Sequence, residues 1–183
     1  CAMNKAILHD HLDGGLRAST ALELAVNASY APLLEIEDIS KFFDRSNCDS
    51  LEDYLEAFVH TTALMNTYDN LERIAFEAAE DMHYNGINIY ESRYAPLYSV
   101  NSNLNIKNVL QAIISGFKQA ENMYGIRSGL ILCGMRHDRE NVEKVGQIAI
   151  DFKDTIIGFD IAGAELNFRP SLYKETFKKV KDE

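Results

Sequence analysis

The chain has 183 residues, of which 46% are hydrophobic and 25% charged. That is a globular composition, and a chain of this length buries about 70% of the surface it exposes when unfolded. Eighteen Lys and Arg against 28 Asp and Glu leave a net charge of −10, which excludes wrapping of nucleic acid and docking on anionic lipid, since both need clustered cations.

Short apolar segments alternate with longer amphipathic ones, the pattern of parallel βα units. Residues 6–9 are expected as the first strand. A helix follows near 19–29, with Ser19 or Thr20 as its N-cap. Residues 30–50 read as irregular, with a short helix around 36–43. Long helices are expected over 51–66 and 69–84, the second stopped by Asn85-Gly86. Residues 19–85 thus form a helical insertion longer than a simple crossover requires. The second strand covers 87–94, and Pro96 ends its ladder. A helix over 106–124 stops at Gly125, and a third strand occupies 128–133. A helix over 138–152 leads to a fourth strand at 155–161. The last helix spans 170–181, with Pro170 in its favoured first turn. This order fits a small open α/β sheet or part of a (β/α)8 barrel, which in full takes ~250 residues. No linker or repeat divides residues 1–183.

No apolar run approaches the ~20 residues of a membrane span, and residues 1–5 carry no signal-peptide pattern. Cys1, Cys48 and Cys133 are odd in number and scattered, which implies reduced thiols and a cytoplasmic home.

In either architecture function collects at the carboxyl ends of the strands. There the sequence places His9-Asp10-His11-Leu12-Asp13-Gly14-Gly15, Glu91-Ser92-Arg93-Tyr94-Ala95-Pro96, Cys133-Gly134-Met135-Arg136-His137 and Asp160-Ile161-Ala162-Gly163-Ala164-Glu165. Side chains at i and i+2 of a strand share a face, so His9 and His11 can converge on one metal ion, and Asp13 joins them if the extended backbone persists. The same histidines could instead cap loops or face water. Gly14-Gly15 permits a tight turn and close approach of a ligand. Glu91 and Arg93 share a face and read as an ion pair filling the interior. Met135 and Cys133 read as packing near a pocket, Arg136 and His137 as a loop, Asp160 as an acceptor. Leu51, Tyr54, Leu55 and Phe58 recur at i, i+3, i+4, i+7, an apolar stripe that fits core packing or the mouth of a site.

The segment His9-Asp10-His11-Leu12-Asp13-Gly14 resembles the H-x-H-L-D-G opening of the adenosine deaminases, a family of zinc amidohydrolases. The other three strand-end segments resemble that family in order and spacing over essentially the whole chain. The resemblance implies a (β/α)8 barrel of the metal-dependent hydrolase type, of which this chain supplies about the first four βα units. It implies hydrolytic deamination of adenosine to inosine in purine metabolism, with zinc as cofactor. By the same resemblance His9 and His11 are zinc ligands, and Asp13, with His11 nearby, binds the ribose 5′-hydroxyl. Gly163 would donate its N–H to a purine nitrogen, Met135 would line the base pocket, and Leu51, Tyr54, Leu55 and Phe58 would form a hydrophobic gate. Zinc-activated water would attack C6 and release ammonia.

The family's third zinc histidine, its H-A-G-E glutamate and its later histidine and Asp-Asp pair have no counterpart in these 183 residues. The general acid/base is therefore expected outside this chain, which is expected to be inactive alone and to self-associate or pair with a carboxyl-terminal half. Two other readings compete: an amidohydrolase acting on adenine or another aminopurine, and a non-catalytic barrel fragment serving as an interaction module.

Overall fold

The computed structural model describes residues 5–44, 48 and 50–183, with backbone alone for residues 51–54. Strands β1 (Lys5–His11), β2 (Ile87–Tyr94), β3 (Arg127–Met135) and β4 (Gly158–Ala162) form one parallel sheet in the order β1-β2-β3-β4. Strands that add in sequence order without reversal make the arc of a barrel, whereas a doubly wound sheet reverses at a switch point. The open-sheet alternative is thereby set aside. Among the described residues β1 and β4 are the edges.

The helices are α1 (Ala18–Ala28), α2 (Ala31–Leu34), α3 (Ile39–Phe43), α4 (Leu51–Leu64), α5 (Tyr68–Tyr84), α6 (Ile106–Tyr124), α7 (Arg139–Asp151) and α8 (Lys174–Asp182). Of these, α5, α6 and α7 cover the outer face of the sheet, where alternate strand residues meet them, while α4 packs on the Leu12–Gly14 turn that follows β1. Tyr90 of β2 lies edge-on to Phe117 of α6. A side chain at Gly134 would strike Val142 of α7, and Ile161 of β4 packs with Val142 and Tyr173. Helices α5 and α6 form the main outer layer. Leu71, Ile74, Ala75, Ala78 and Ala79 are buried on one, and Val109, Leu110, Ile113, Gly116, Phe117 and Ala120 on the other, each set at the i, i+3, i+4 spacing of a buried helical face.

Side-chain caps mark the starts of α5, α6 and α7. Thr67, Asn105 and Asp138 each accept a hydrogen bond from the backbone N–H three residues on, leaving one orphan donor fewer at each N-terminus. The first helix departs from expectation. Its N-cap is Arg17, whose side chain makes no capping bond. The Arg17 guanidinium instead pairs with Glu80 at 2.7 Å and Asp81 at 2.6 Å on α5, and the Thr20 hydroxyl donates to Glu77 at 2.6 Å. Thr20, one of the two residues that local rules would assign to capping, is thus held by a tertiary partner on α5.

Other boundaries also move. Residues 30–44 hold two short helices, α2 and α3, rather than one over 36–43; Asp38 caps α3 through the N–H of Lys41. The fourth strand begins at Gly158, not residue 155, because Thr155 and Ile156 donate back to the Phe152 carbonyl at the end of α7. Ile156 is buried there as a plug. Pro170–Tyr173 form a 3-10 turn before α8 rather than its first turn.

Candidate active site

His9 and His11 end β1 with ring centroids 5.7 Å apart and planes tilted by 51°. Burial, then the neighbouring His9 and Arg93, hold His11 below the usual imidazole range against the opposing pull of Asp10 and Asp160. The neutral ring is the form that donates a lone pair to a metal. Asp10, between the two histidines, takes the outer face: Tyr90 donates its hydroxyl to Asp10 Oδ2 at 2.5 Å and Ser92 at 3.3 Å.

The extended backbone stops at His11, which corrects the expected alternation through Asp13. Leu12–Gly14 turn into a 3-10 segment, and Leu12 is wholly buried in the core. Asp13 is carried with it and is 6% exposed. Its Oδ1 has no hydrogen-bond partner, and burial raises its carboxyl to about 7. A buried carboxylate oxygen without a donor is costly, and an incoming hydroxyl relieves that cost. Gly14 is needed for close approach: a Cβ there would lie 3.0 Å from Phe58 Cζ.

Phe58 belongs to α4 and meets the His11 ring edge-on, centroids 6.4 Å apart at 88°. Leu55 is half-buried on the same helix. Leu51 and Tyr54 lie in its first turns, and their side chains are outside the described residues. On its other side α4 is held by His60, which shares a 3.2 Å hydrogen bond with the Tyr30 hydroxyl and packs against Phe42.

At the far rim Gly163 adopts φ +98°, and a Cβ there would stand 3.3 Å from Met135 Cε and 3.8 Å from His137 Nδ1. Met135 and Gly163 therefore come together at this rim. Arg136 and His137 part company. His137 is exposed. Arg136 is buried, donates to the Ile161 carbonyl at 3.2 Å and pairs with Glu165 at 3.1 Å, and its own carbonyl accepts from the Tyr173 hydroxyl.

The interior ion pair is also corrected. Arg93 pairs across the sheet with Asp160, Nε to Oδ2 at 2.7 Å, and donates through Nη1 to the Leu8 carbonyl at 2.8 Å; its expected partner was Glu91. Neighbours on one strand face sit 6.6–6.8 Å apart, whereas a long guanidinium reaches other strands. Cys133 is buried beside Asp160 and Asp13, and burial first, then these carboxylates, push its thiol well up. At pH 8 iodoacetamide is expected to modify half-exposed Cys48 in the folded chain and to reach Cys133 only after unfolding. Rapid labelling of Cys133 under native conditions would contradict this packing.

Zinc fits the donors present as part of a set. The imidazole pair at the end of β1 matches two of three protein ligands in a catalytic site. Among the described residues no group of three or more His, Cys, Asp and Glu gathers to hold an ion. No helix among them is long and apolar enough to cross a membrane.

A family model described as adenosine deaminase matches residues 4–183. Adenosine deaminase 1 of Streptomyces coelicolor is 40% identical over 188 residues, covering 98% of this chain and 47% of the relative. The adenosine deaminase of Mycobacterium avium is 37% identical, covering 97% and 51%. The chain spans about half the length of the curated relatives it matches. Among solved structures, a zinc-bound amidohydrolase of Burkholderia ambifaria aligns with a TM-score of 0.82 at 25% identity, covering 99% of this chain and 50% of that one. Adenine deaminase of Arthrobacter aurescens aligns at 0.85 with 18% identity, covering 97% and 54%, a likeness of fold alone. The sheet and its inward histidines are therefore four βα units of an amidohydrolase-type (β/α)8 barrel. The chain belongs to the adenosine deaminase family.

Proposed function

We propose that the chain is the amino-terminal half of a zinc-dependent adenosine deaminase that hydrolyses adenosine to inosine in purine metabolism. The observation that carries this reading is the inward pair of imidazoles next to a buried carboxylate with an unpartnered oxygen. His9 and His11 would hold the metal, which when bound supplies hydroxide at neutral pH by lowering the pKa of its water to ~7. The chain's own residues bind and orient. Asp13 accepts the ribose 5′-hydroxyl beside His11, Gly163 donates its N–H to the purine, and Met135 lines the base. Leu51, Tyr54, Leu55 and Phe58 close over the site and exclude water. The general acid/base lies in a carboxyl-terminal half, and β1 and β4 are the edges along which that half, or a second copy of this chain, would pair.

The names of the relatives at 37–40% identity favour adenosine over free adenine. Asp13 discriminates, because a ribose contact serves no purpose for a free base. In a barrel completed by co-expression with the carboxyl-terminal half of the Streptomyces coelicolor relative, Asp13→Ala is expected to raise KM for adenosine about 10- to 100-fold. That is the loss of one hydrogen bond to a charged group, ~1.5–3 kcal/mol. KM for adenine is expected to stay unchanged. An equal rise for both substrates would remove the ribose role, and faster turnover of adenine would favour the free-base reading.

A further inference from the structure

The pairing of β1 with β2 contains a slip that decides which way the histidines face. Ile7 stands opposite Tyr90, and Asp10 opposite Ser92, so three steps along β1 match two along β2. That is a β-bulge, with Leu8 and His9 inside it. Side chains alternate along a strand, so a bulge of one residue exchanges the two faces beyond it. Ile7 packs against the outer core. Without the slip, His9 and His11 would follow Ile7 toward the helices and Asp10 would point inward. With it, Asp10 reaches Tyr90 and Ser92 on the outer face, and both imidazoles turn inward.

One inner-face side chain holds this slip from the neighbouring strand. Arg93 Nη1 donates to the carbonyl of Leu8, inside the bulge, at 2.8 Å. Its Nε is held by Asp160 of β4 at 2.7 Å, with the Arg93 side chain 13% exposed. A planar guanidinium can serve both partners at fixed angles, and an ammonium cannot. We infer that Arg93, anchored by Asp160, is a positioning residue that locks the β1 bulge and so keeps His9 and His11 turned inward as a pair. Its consequence for zinc rests on the ligand roles given to those histidines above; the positioning itself does not.

The test uses the 183-residue chain in four forms: unaltered, Arg93→Gln, Arg93→Lys and, as a control for general destabilisation, Val145→Ala in the buried face of α7. Two readouts are taken: nuclear Overhauser contacts of the His9, His11 and Phe58 rings, and affinity for Zn2+ by competition with a chromophoric chelator. In Arg93→Gln the His9–His11 and His11–Phe58 contacts are expected to vanish while the Tyr90–Phe117 contact persists. Zinc affinity is expected to fall 10- to 100-fold, the usual effect of losing a residue that orients metal ligands. Arg93→Lys, which keeps the charge and is the milder change for folding, is expected to lose the ring contacts as well. Val145→Ala is expected to melt earlier with contacts and affinity intact. Ring contacts unchanged in Arg93→Lys or Arg93→Gln would overturn the inference, as would their loss in Val145→Ala. If the unaltered chain bound no zinc while Arg93→Gln still lost the ring contacts, the ligand roles would fail and the positioning role would stand.

Discussion

The 183-residue chain, supplied with adenosine and zinc, is expected to form inosine no faster than zinc-containing buffer, and to gain turnover when joined with the carboxyl-terminal half of a family member. Two imidazoles leave a tetrahedral catalytic zinc one protein ligand short. A missing general acid/base removes a further 10²–10⁴-fold. The groups proposed to orient substrate, by contrast, already hold defined positions: Asp13 in its 3-10 turn, and Gly163 against Met135. Restoring the other half should therefore restore rate with these residues setting KM. Measured deamination by the chain alone, sensitive to a chelator and to His11→Ala, would show that its own residues complete the site.

The second large effect concerns the fold. A Cβ on Gly116 of α6 would lie 2.2 Å from the Glu72 carbonyl oxygen, 2.8 Å from the Phe76 nitrogen and 2.9 Å from Ala75 Cβ of α5. Two of these are backbone atoms, so no side-chain rotation relieves the clash. In a free helix Ala would be favoured over Gly by about 1 kcal/mol. Here overpacking at the upper end of its usual range, about 3 kcal/mol, opposes that gain. Gly116→Ala is therefore expected to lose about 2 kcal/mol net, a fall in Tm of ~4–8 °C, and Gly116→Val to fail to fold. A rise in Tm for Gly116→Ala would mean that the two helices do not approach so closely.

These two predictions draw on features of different legibility. Helices α5, α6 and α7 carry apolar stripes at helical spacing with Asn85-Gly86, Gly125 or Asp138 at their ends, so pattern and stop signals agree and the sequence reading found them. The strand-end motifs were legible because polar residues interrupt apolar runs at the same point in all four units. The face of β1 was not. His9 and His11 share a parity whatever happens, but only the slip between Ile7 and Asp10 turns that parity inward, and a register slip leaves no periodic trace in one strand. The Arg93–Asp160 pair joins residues 67 positions apart and depends on which strands are neighbours. Asp13 left the extended path because Leu12 is drawn into the core, a tertiary pull that local alternation cannot register. The late start of β4 has the same origin: the end of α7 claims Thr155 and Ile156 before the sheet can.

The two histidines of β1 are proposed to form half of a metal site. X-ray absorption of the chain loaded with one equivalent of zinc tests it most directly. Two imidazole nitrogens are expected at about 2.0–2.1 Å from the metal, and both are expected to be lost in the doubly substituted His9→Ala, His11→Ala chain. A zinc environment unaltered by that double substitution would place the metal elsewhere and remove His9 and His11 as ligands.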